Sequence, residues 1–162
     1  MALNAYLRLK GETQGEIKGS VTQAGREDSI MVIAFNHEVL SPRDAASGLP
    51  TGKRQHKPIV ITKEIDKATP LLFQVLTSNE NITEWELRFW QPSASGKEFQ
   101  FYTVQLVNAS IASIRTEMLN NKYPENMQHK EREHISFCYQ KVIWTFEDGG
   151  ISAEDDWETP TA

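Results

Sequence analysis

The sequence predicts a mainly β protein, an antiparallel β-barrel of two packed sheets with one short flanking α-helix. Three observations carry that expectation. Stretches of alternating apolar and polar residues recur along the chain, separated by turn-forming residues. One segment alone combines a helix start with apolar residues at helical spacing. No strand–helix–strand alternation is present, so a parallel sheet is not indicated.

Leu3, Ala5, Leu7 and Leu9 alternate with Asn4, Tyr6, Arg8 and Lys10, the pattern of a half-buried strand. Gly11, Gly15 and Gly19 then mark a turn and a short strand. They lack the Lys-Ser/Thr pair and the following helix that a phosphate loop needs. Residues 29–40 read as a strand that is apolar on both sides at first and turns polar at Asn36 and Glu38. Residues 41–57, with Pro42, Gly48, Pro50 and Gly52, form an extended loop, at or beyond the ~12 to 15 residues that compact domains usually allow and therefore a place to look for function.

Residues 58–65 are a further strand. Thr69 is the expected N-cap and Pro70 the first position of a helix reaching about Asn79, which places Leu72, Val75 and Leu76 on the barrel. Strands follow over 82–91, 98–118 with a break near Asn108, and 134–147. A turn lies at 92–96, and the polar segment 120–132 is a loop. In the last strand Ile135, Phe137, Tyr139 and Ile143 lie opposite Cys138, Val142, Trp144 and Phe146. Both faces are apolar, so one faces the barrel interior and the other meets the helix, the tail or a neighbouring subunit. The expected organisation is one domain over residues 1–162, ending in an acidic tail at 148–162.

Composition narrows the function. With 17 Lys and Arg against 22 Asp and Glu, the net charge of −5 gives no general attraction to phosphate backbones, so nucleic acid is not an expected partner. No run approaches the ~20 apolar residues of a membrane span, so no membrane insertion is expected. The start lacks a basic segment followed by an apolar run, which predicts synthesis without a cleavable signal. Cys138, the sole cysteine, cannot pair within the chain and is expected to be a small buried hydrophobe.

No constellation of catalytic residues emerges, and no cofactor or metal is expected. His129 and His134 are five apart without a completing ligand set. On a strand, His37 points away from its neighbours Asn36 and Glu38. Glu84, Glu86 and Arg88 alternate with Trp85, Leu87 and Phe89, the pattern of a solvated strand face. Lys63, Glu64, Asp66 and Lys67 precede the helix and are expected to cap or pair with its start. The rival readings are a monomeric barrel that binds a small molecule and a hydrolase with an unfamiliar site.

Residues 25–30 (GREDSI) lead into a strand ending NHEV at 36–39, followed by HKP at 56–58 and ITKEIDKATPL at 61–71. EFQFYT at 98–103, LVNA at 106–109, EHISFCY at 133–139, IWT at 143–145 and DDW at 155–157 continue the series. In this order the segments resemble the haemolysin-coregulated protein (Hcp) family of type VI secretion. The resemblance implies a β-barrel flanked by one helix, a homohexameric ring, and stacking of rings into an inner tube. It also implies a contractile sheath around the tube, a trimeric spike at its tip and effector cargo in its lumen. Synthesis in the bacterial cytoplasm and export through the apparatus, to the medium or a target cell, follow from the same resemblance. Within that frame Asn36 and Glu38 are candidates for the lumen wall. Charge placement suggests how rings meet: loop 41–57 carries Arg43, Lys53, Arg54 and Lys57 against Asp44 alone, whereas the chain beyond residue 146 carries Glu147, Asp148, Glu154, Asp155, Asp156 and Glu158 and no Lys or Arg. Arg43, Lys53, Arg54 and Lys57 of one ring are thus expected to face Glu154, Asp155 and Asp156 of the next.

Overall fold

The alternation of the first segment becomes β1 (Ala5–Gly11), whose Ala5, Leu7 and Leu9 enter the core. This strand is the spine of a seven-stranded antiparallel sheet in the computed structural model, which describes residues 1–158 and leaves positions 159–162 of the expected tail outside the described residues. On one side of β1 runs β8 (Ile82–Pro92), with Leu7 opposite Leu87 and Leu9 opposite Trp85. Beyond it lie β9 (Glu98–Val107), β12 (Lys141–Phe146) and β13 (Ile151–Asp156). On the other side two short strands divide its length, β3 (Ile30–Val32) along Ala5–Leu7 and β2 (Gly15–Ile17) along Leu9–Gly11.

A second antiparallel sheet runs β10 (Ser110–Glu117), β11 (Arg132–Cys138), β7 (Ile59–Glu64) and β4 (Ala34–Asn36). The inward faces of the two sheets meet through Leu7, Trp85 and Leu87 on one and Ile59, Ile61, Ile135 and Phe137 on the other, all buried. Each such side chain contributes about 1.5–3 kcal/mol by leaving water. The Trp85 and Phe137 rings meet edge to face at 5.4 Å.

The chain passes between sheets at bends. Residues 29–40, expected as one strand, break at exposed Ile33, and β3 and β4 on either side belong to different sheets. Ile33 still donates its N–H to Thr62 O. The break at Asn108 forms as expected, at φ 51°, a left-handed conformation that asparagine tolerates. The expected strand 134–147 is in fact two, β11 and β12, divided at Tyr139 and Gln140 and lying in different sheets. The bend also shifts the inward parity, from Ile135, Phe137 and Tyr139 to Val142, so the apparent two-sided apolar strand is a change of phase. Cys138 falls on the outward parity and is exposed, contrary to the expectation of burial.

The helix forms as α1 (Thr69–Thr77), two residues shorter than expected, with Leu72 and Val75 buried and Leu76 half-buried against the core. Thr69 is its first residue rather than its cap, because the Thr69 hydroxyl is already engaged. It donates to Glu133 Oε1 at 2.6 Å and accepts from Lys63 Nζ and from the Asp66 N–H. The N-cap position falls to Ala68, which offers no side-chain cap, and Asp66 Oδ1 accepts the Ala68 N–H at 3.0 Å in the turn before the helix.

At the centre of this cluster Lys63 and Glu133, opposite one another on β7 and β11, have wholly buried side chains and pair at 2.5 Å. Lys63 Nζ also reaches Asp66 Oδ1 at 2.8 Å and Glu64 O at 3.1 Å. The expected structural role of the Lys63–Lys67 segment at the helix start is what the geometry displays. Elsewhere Arg26 lies over the rings of Trp90 and Tyr6 and pairs with Glu98 at 2.6 Å, which ties the loop before β3 to the β8–β9 hairpin.

Lys63→Met, which strands the buried Glu133 carboxylate, should cost about 3–5 kcal/mol and lower Tm by roughly 6–20 °C in a thermal melt. Pairing it with Glu133→Leu should recover most of that loss. Leu72→Ala should cost about 2–5 kcal/mol and more than the same change at Leu76, as chemical denaturation would measure.

Candidate assembly surface

Loop 41–57 is a folded arm. At its base β5 (Val39–Leu40) pairs with β6 (Gln55–His56), and a further bridge joins Arg43 to Pro50. Asp44 closes the tip, where Oδ2 accepts the Ser47 hydroxyl at 2.6 Å and the Ser47 N–H at 2.9 Å. Those bonds hold the Asp44 carboxyl below its ordinary range. Gly48, at φ +72°, supplies the left-handed turn. None of these contacts is visible in local hydropathy, which is why the segment reads as irregular.

The four cations of the arm have different fates. Arg43 and Lys53 are exposed and make no ion pair among the described residues. Lys57 pairs with Glu38 at 3.1 Å across the base of the arm. Arg54 turns back onto its own chain: Nε donates to Asp155 Oδ2 at 2.5 Å, and Nη2 donates to Asp155 Oδ1 at 2.9 Å and Asp156 O at 3.1 Å. The attraction between loop and tail expected between rings is thus used, for Arg54 and Asp155, inside one subunit. A bidentate arginine–carboxylate pair is the stronger kind of ion pair.

The tail contains a strand that its acidic composition hides. Residues 151–156 pair with β12 over its full length, Lys141 opposite Asp156 and Phe146 opposite Ile151. Lys141 also holds Glu154 at 3.1 Å. Asp156 Oδ2 accepts from Gln140 at 3.1 Å.

Arm and tail meet at a chain of polar rings. His37 Nε2 lies 2.7 Å from the Tyr139 hydroxyl, and that hydroxyl lies 2.8 Å from His56 Nδ1. His56 Nε2 continues the chain to Asp155 Oδ2 at 2.6 Å. His37 stacks on Trp144 and His56 on Trp157, whose indole N–H donates to Tyr139 O. Burial raises the Tyr139 phenol, reinforced by the Asp155 charge, which is opposite to what a nucleophile needs. The Arg54 hydrogen bond, then that of His56, holds Asp155 below its ordinary range. His37 lies between β4 and β5 rather than on a strand, and its partner Tyr139 is 102 residues away.

Asn36 and Glu38, the candidates for a lumen wall, are both exposed, Asn36 on β4 opposite Val60 and Glu38 beside Lys57. Surface grooves lie elsewhere. One of about 410 Å³ crosses the outer face of the large sheet, where Arg8, Lys10 and Arg88 interleave with Glu16, Glu84 and Glu86. Several of these are paired, Lys10 with Glu84 at 3.5 Å and Arg88 with Glu86 at 3.0 Å, as the expectation of a solvated face requires. The space between the sheets is filled by Leu7, Leu87, Trp85 and Phe137.

The fold and its surfaces define a two-sheet β-barrel with a filled interior, open strand edges and a projecting arm. Comparison with known proteins places that architecture. Residues 6–146 match the family model described as "Type VI secretion system effector, Hcp". The chain is 44% identical over its whole length to the "Major exported protein" of Pseudomonas aeruginosa, 99% of which it covers. Among solved structures it is similar to an Hcp protein, at 32% identity with a TM-score of 0.90 over 97% of this chain and 99% of that one. It is also similar to the secreted protein Hcp3 of Pseudomonas aeruginosa, at 36% identity with a TM-score of 0.78 over 96% and 99%. The chain belongs to the Hcp family of the type VI secretion system.

Asp155→Asn should weaken the hold of the arm. Because the Asp155 carboxyl is lowered in the fold, its stabilisation is present above the unfolded value of about 3.9 and disappears as pH falls below it. The variant should therefore be less stable than the parent at neutral pH, with the gap narrowing below about pH 4, as denaturant midpoints at both pH values would measure.

Proposed function

We propose that this protein is the repeating subunit of the type VI secretion inner tube. Homohexameric rings stack into the tube, contraction of a surrounding sheath exports it behind a trimeric spike, and effector cargo travels in its lumen. Family membership over residues 6–146 carries the reading, and the full-length likeness to a protein named for its export supports it. Synthesis in the cytoplasm and release to the medium or a target cell belong to the same proposal. The role is structural, with no catalytic step.

Geometry supports a building block over the alternative, a monomeric barrel that binds a small molecule. Such a barrel needs a chamber between its sheets, and here that space is taken by fully buried Leu7, Leu87 and Phe137. Strands β13, β10 and β4 end their sheets, and Ile151, Met118 and Ile33 near those edges are exposed. Unpaired edges of this kind suit pairing with another chain.

For stacking, the proposal narrows to the arm's unpaired cations. Arg43 and Lys53, which make no ion pair among the described residues, are proposed to meet the acidic face of Glu154, Asp155 and Asp156 in the next ring, while Arg54 and Lys57 hold the arm's shape. Asn36 and Glu38 are proposed to face the lumen.

Light scattering should return a mass near six copies, with rings in negative stain. A monomer at every concentration, with no rings, would favour the binding barrel. Reversing Arg43 and Lys53 to Glu should leave rings intact and abolish stacked tubes, and tube formation by the parent should weaken as salt rises, since exposed charges are screened beyond about 8 Å at physiological ionic strength. Tubes that persist in the double variant would remove the arm from the stacking contact.

A further inference from the structure

The chain His37–Tyr139–His56–Asp155 joins three parts of the fold that are distant in sequence. His37 lies between β4 and β5, His56 lies in β6 at the base of the arm, Tyr139 sits at the β11–β12 bend, and Asp155 lies in edge strand β13. Its proton inventory is restricted. An ionised Asp155 only accepts, so His56 Nε2 must carry a hydrogen. With His56 neutral, Nδ1 is an acceptor, Tyr139 donates to it, and the phenol oxygen accepts from His37 Nε2–H. Every member is then satisfied.

A first added proton can be housed. On His56 it makes Nδ1 a donor, so Tyr139 accepts there and turns its own O–H toward His37 Nε2. That bond requires His37 to be neutral and protonated on Nδ1. One proton therefore reverses both bonds at the Tyr139 hydroxyl, keeps the His56–Asp155 bond as it was, and leaves the chain intact. A second cannot be housed, because with both imidazoles charged two N–H donors converge on one phenol whose own O–H has lost its acceptor.

We propose that these four residues form an acid-sensitive latch that fastens the β5–β6 arm to the β13 edge, reversing with one proton and opening with the second. The surroundings agree. Asp155 is shared with Arg54, so its charge is already largely countered, and Lys57 and Glu38 pair with each other at the base of the arm. Cys138 adjoins Tyr139, and Asp156 is engaged by Gln140. Trp144 faces His37 as a stacked ring and offers no countercharge. Burial, and then repulsion from His56, keep His37 neutral below its ordinary range. The stability this neutral ring gives is therefore present above about pH 6.5 and is lost as pH falls toward the folded value.

Amide hydrogen exchange on the full chain tests the latch, at about pH 7.5 and about pH 5.5 with intrinsic rates divided out. Peptides over 38–57 and 151–157 should lose protection together in acid, by at least about tenfold relative to the β8–β9 hairpin. His37→Gln offers a donor and an acceptor but cannot titrate, and should lose most of that acid response. Undiminished protection of the arm in the parent, or an equal acid loss in His37→Gln, would overturn the proposal. Imidazole nitrogen spectra of the unmodified protein give a readout that does not depend on the variant folding: uptake of the first proton should switch His37 from Nε2–H to Nδ1–H. A His37 that keeps its tautomer would also overturn it. Shorter tubes in acid are a further consequence that rests on the stacking proposed above. Faster exchange in the arm with unchanged tubes would sink stacking through the arm and leave the latch standing.

Discussion

The buried pair of Lys63 and Glu133 is the constraint on which the second sheet and the helix depend. Two charges with fully buried side chains face each other across β7 and β11. A slip of one residue between those strands would carry the two charges apart and leave the buried Glu133 carboxylate without its countercharge, at a cost of several kcal/mol. Register is thereby tied to chemistry as well as to hydropathy. Lys63 also holds Asp66 and Thr69, so the turn after β7 and the start of α1 are set by the same ammonium group. With the helix start fixed, Leu72 and Val75 fall onto the barrel.

Much of this architecture was legible in the sequence because it is written in local alternation. Strand β1, the β8–β9 hairpin, the break at Asn108 and the helix carrying Leu72 and Val75 are each specified by neighbours in sequence. What escaped was held by partners far away. The bend at Tyr139 and Gln140 contains neither Gly nor Pro, and the residues beyond it are as apolar as those before, so only a change of parity marks it. Acidic residues 151–156 have little strand propensity of their own. They are ordered by pairing to β12 and by Arg54 and His56, about a hundred residues earlier.

Thr69 shows a different failure. Threonine before proline and an apolar helical run is a sound N-cap signal. Here Glu133 takes the hydroxyl hydrogen, while the ammonium of Lys63 and the Asp66 N–H occupy the oxygen lone pairs that a cap would offer to helix N–H groups. Ala68 then stands at the N-cap without a side-chain cap, and Asp66, three residues before Thr69, orders the turn by accepting the Ala68 N–H. At the assembly surface the charge pattern was legible and its geometry was not. Composition displays four cations and an acidic tail, whereas the fold spends Arg54 on Asp155 and Lys57 on Glu38 and leaves Arg43 and Lys53 exposed.

The two polar networks differ in a way that matches their places in the fold. Lys63 and Glu133 form an ion pair with both side chains fully buried, where loss of either partner leaves an uncompensated ion, so this network makes its part of the barrel rigid. The His37–Tyr139–His56 chain is built from groups that both donate and accept, and it runs from buried Tyr139 and the buried His56 side chain to half-buried His37 where a short edge strand meets a two-stranded arm. Such groups can exchange roles without losing a hydrogen bond, and the elements they join bury little apolar surface of their own. Local opening free energies are lowest where few apolar contacts are made. The arm and the edge strand can therefore take up one proton by exchanging hydrogen-bond roles and part on the second while the barrel beneath them stays closed, which confines any adjustment on assembly to the surface through which neighbouring subunits would meet.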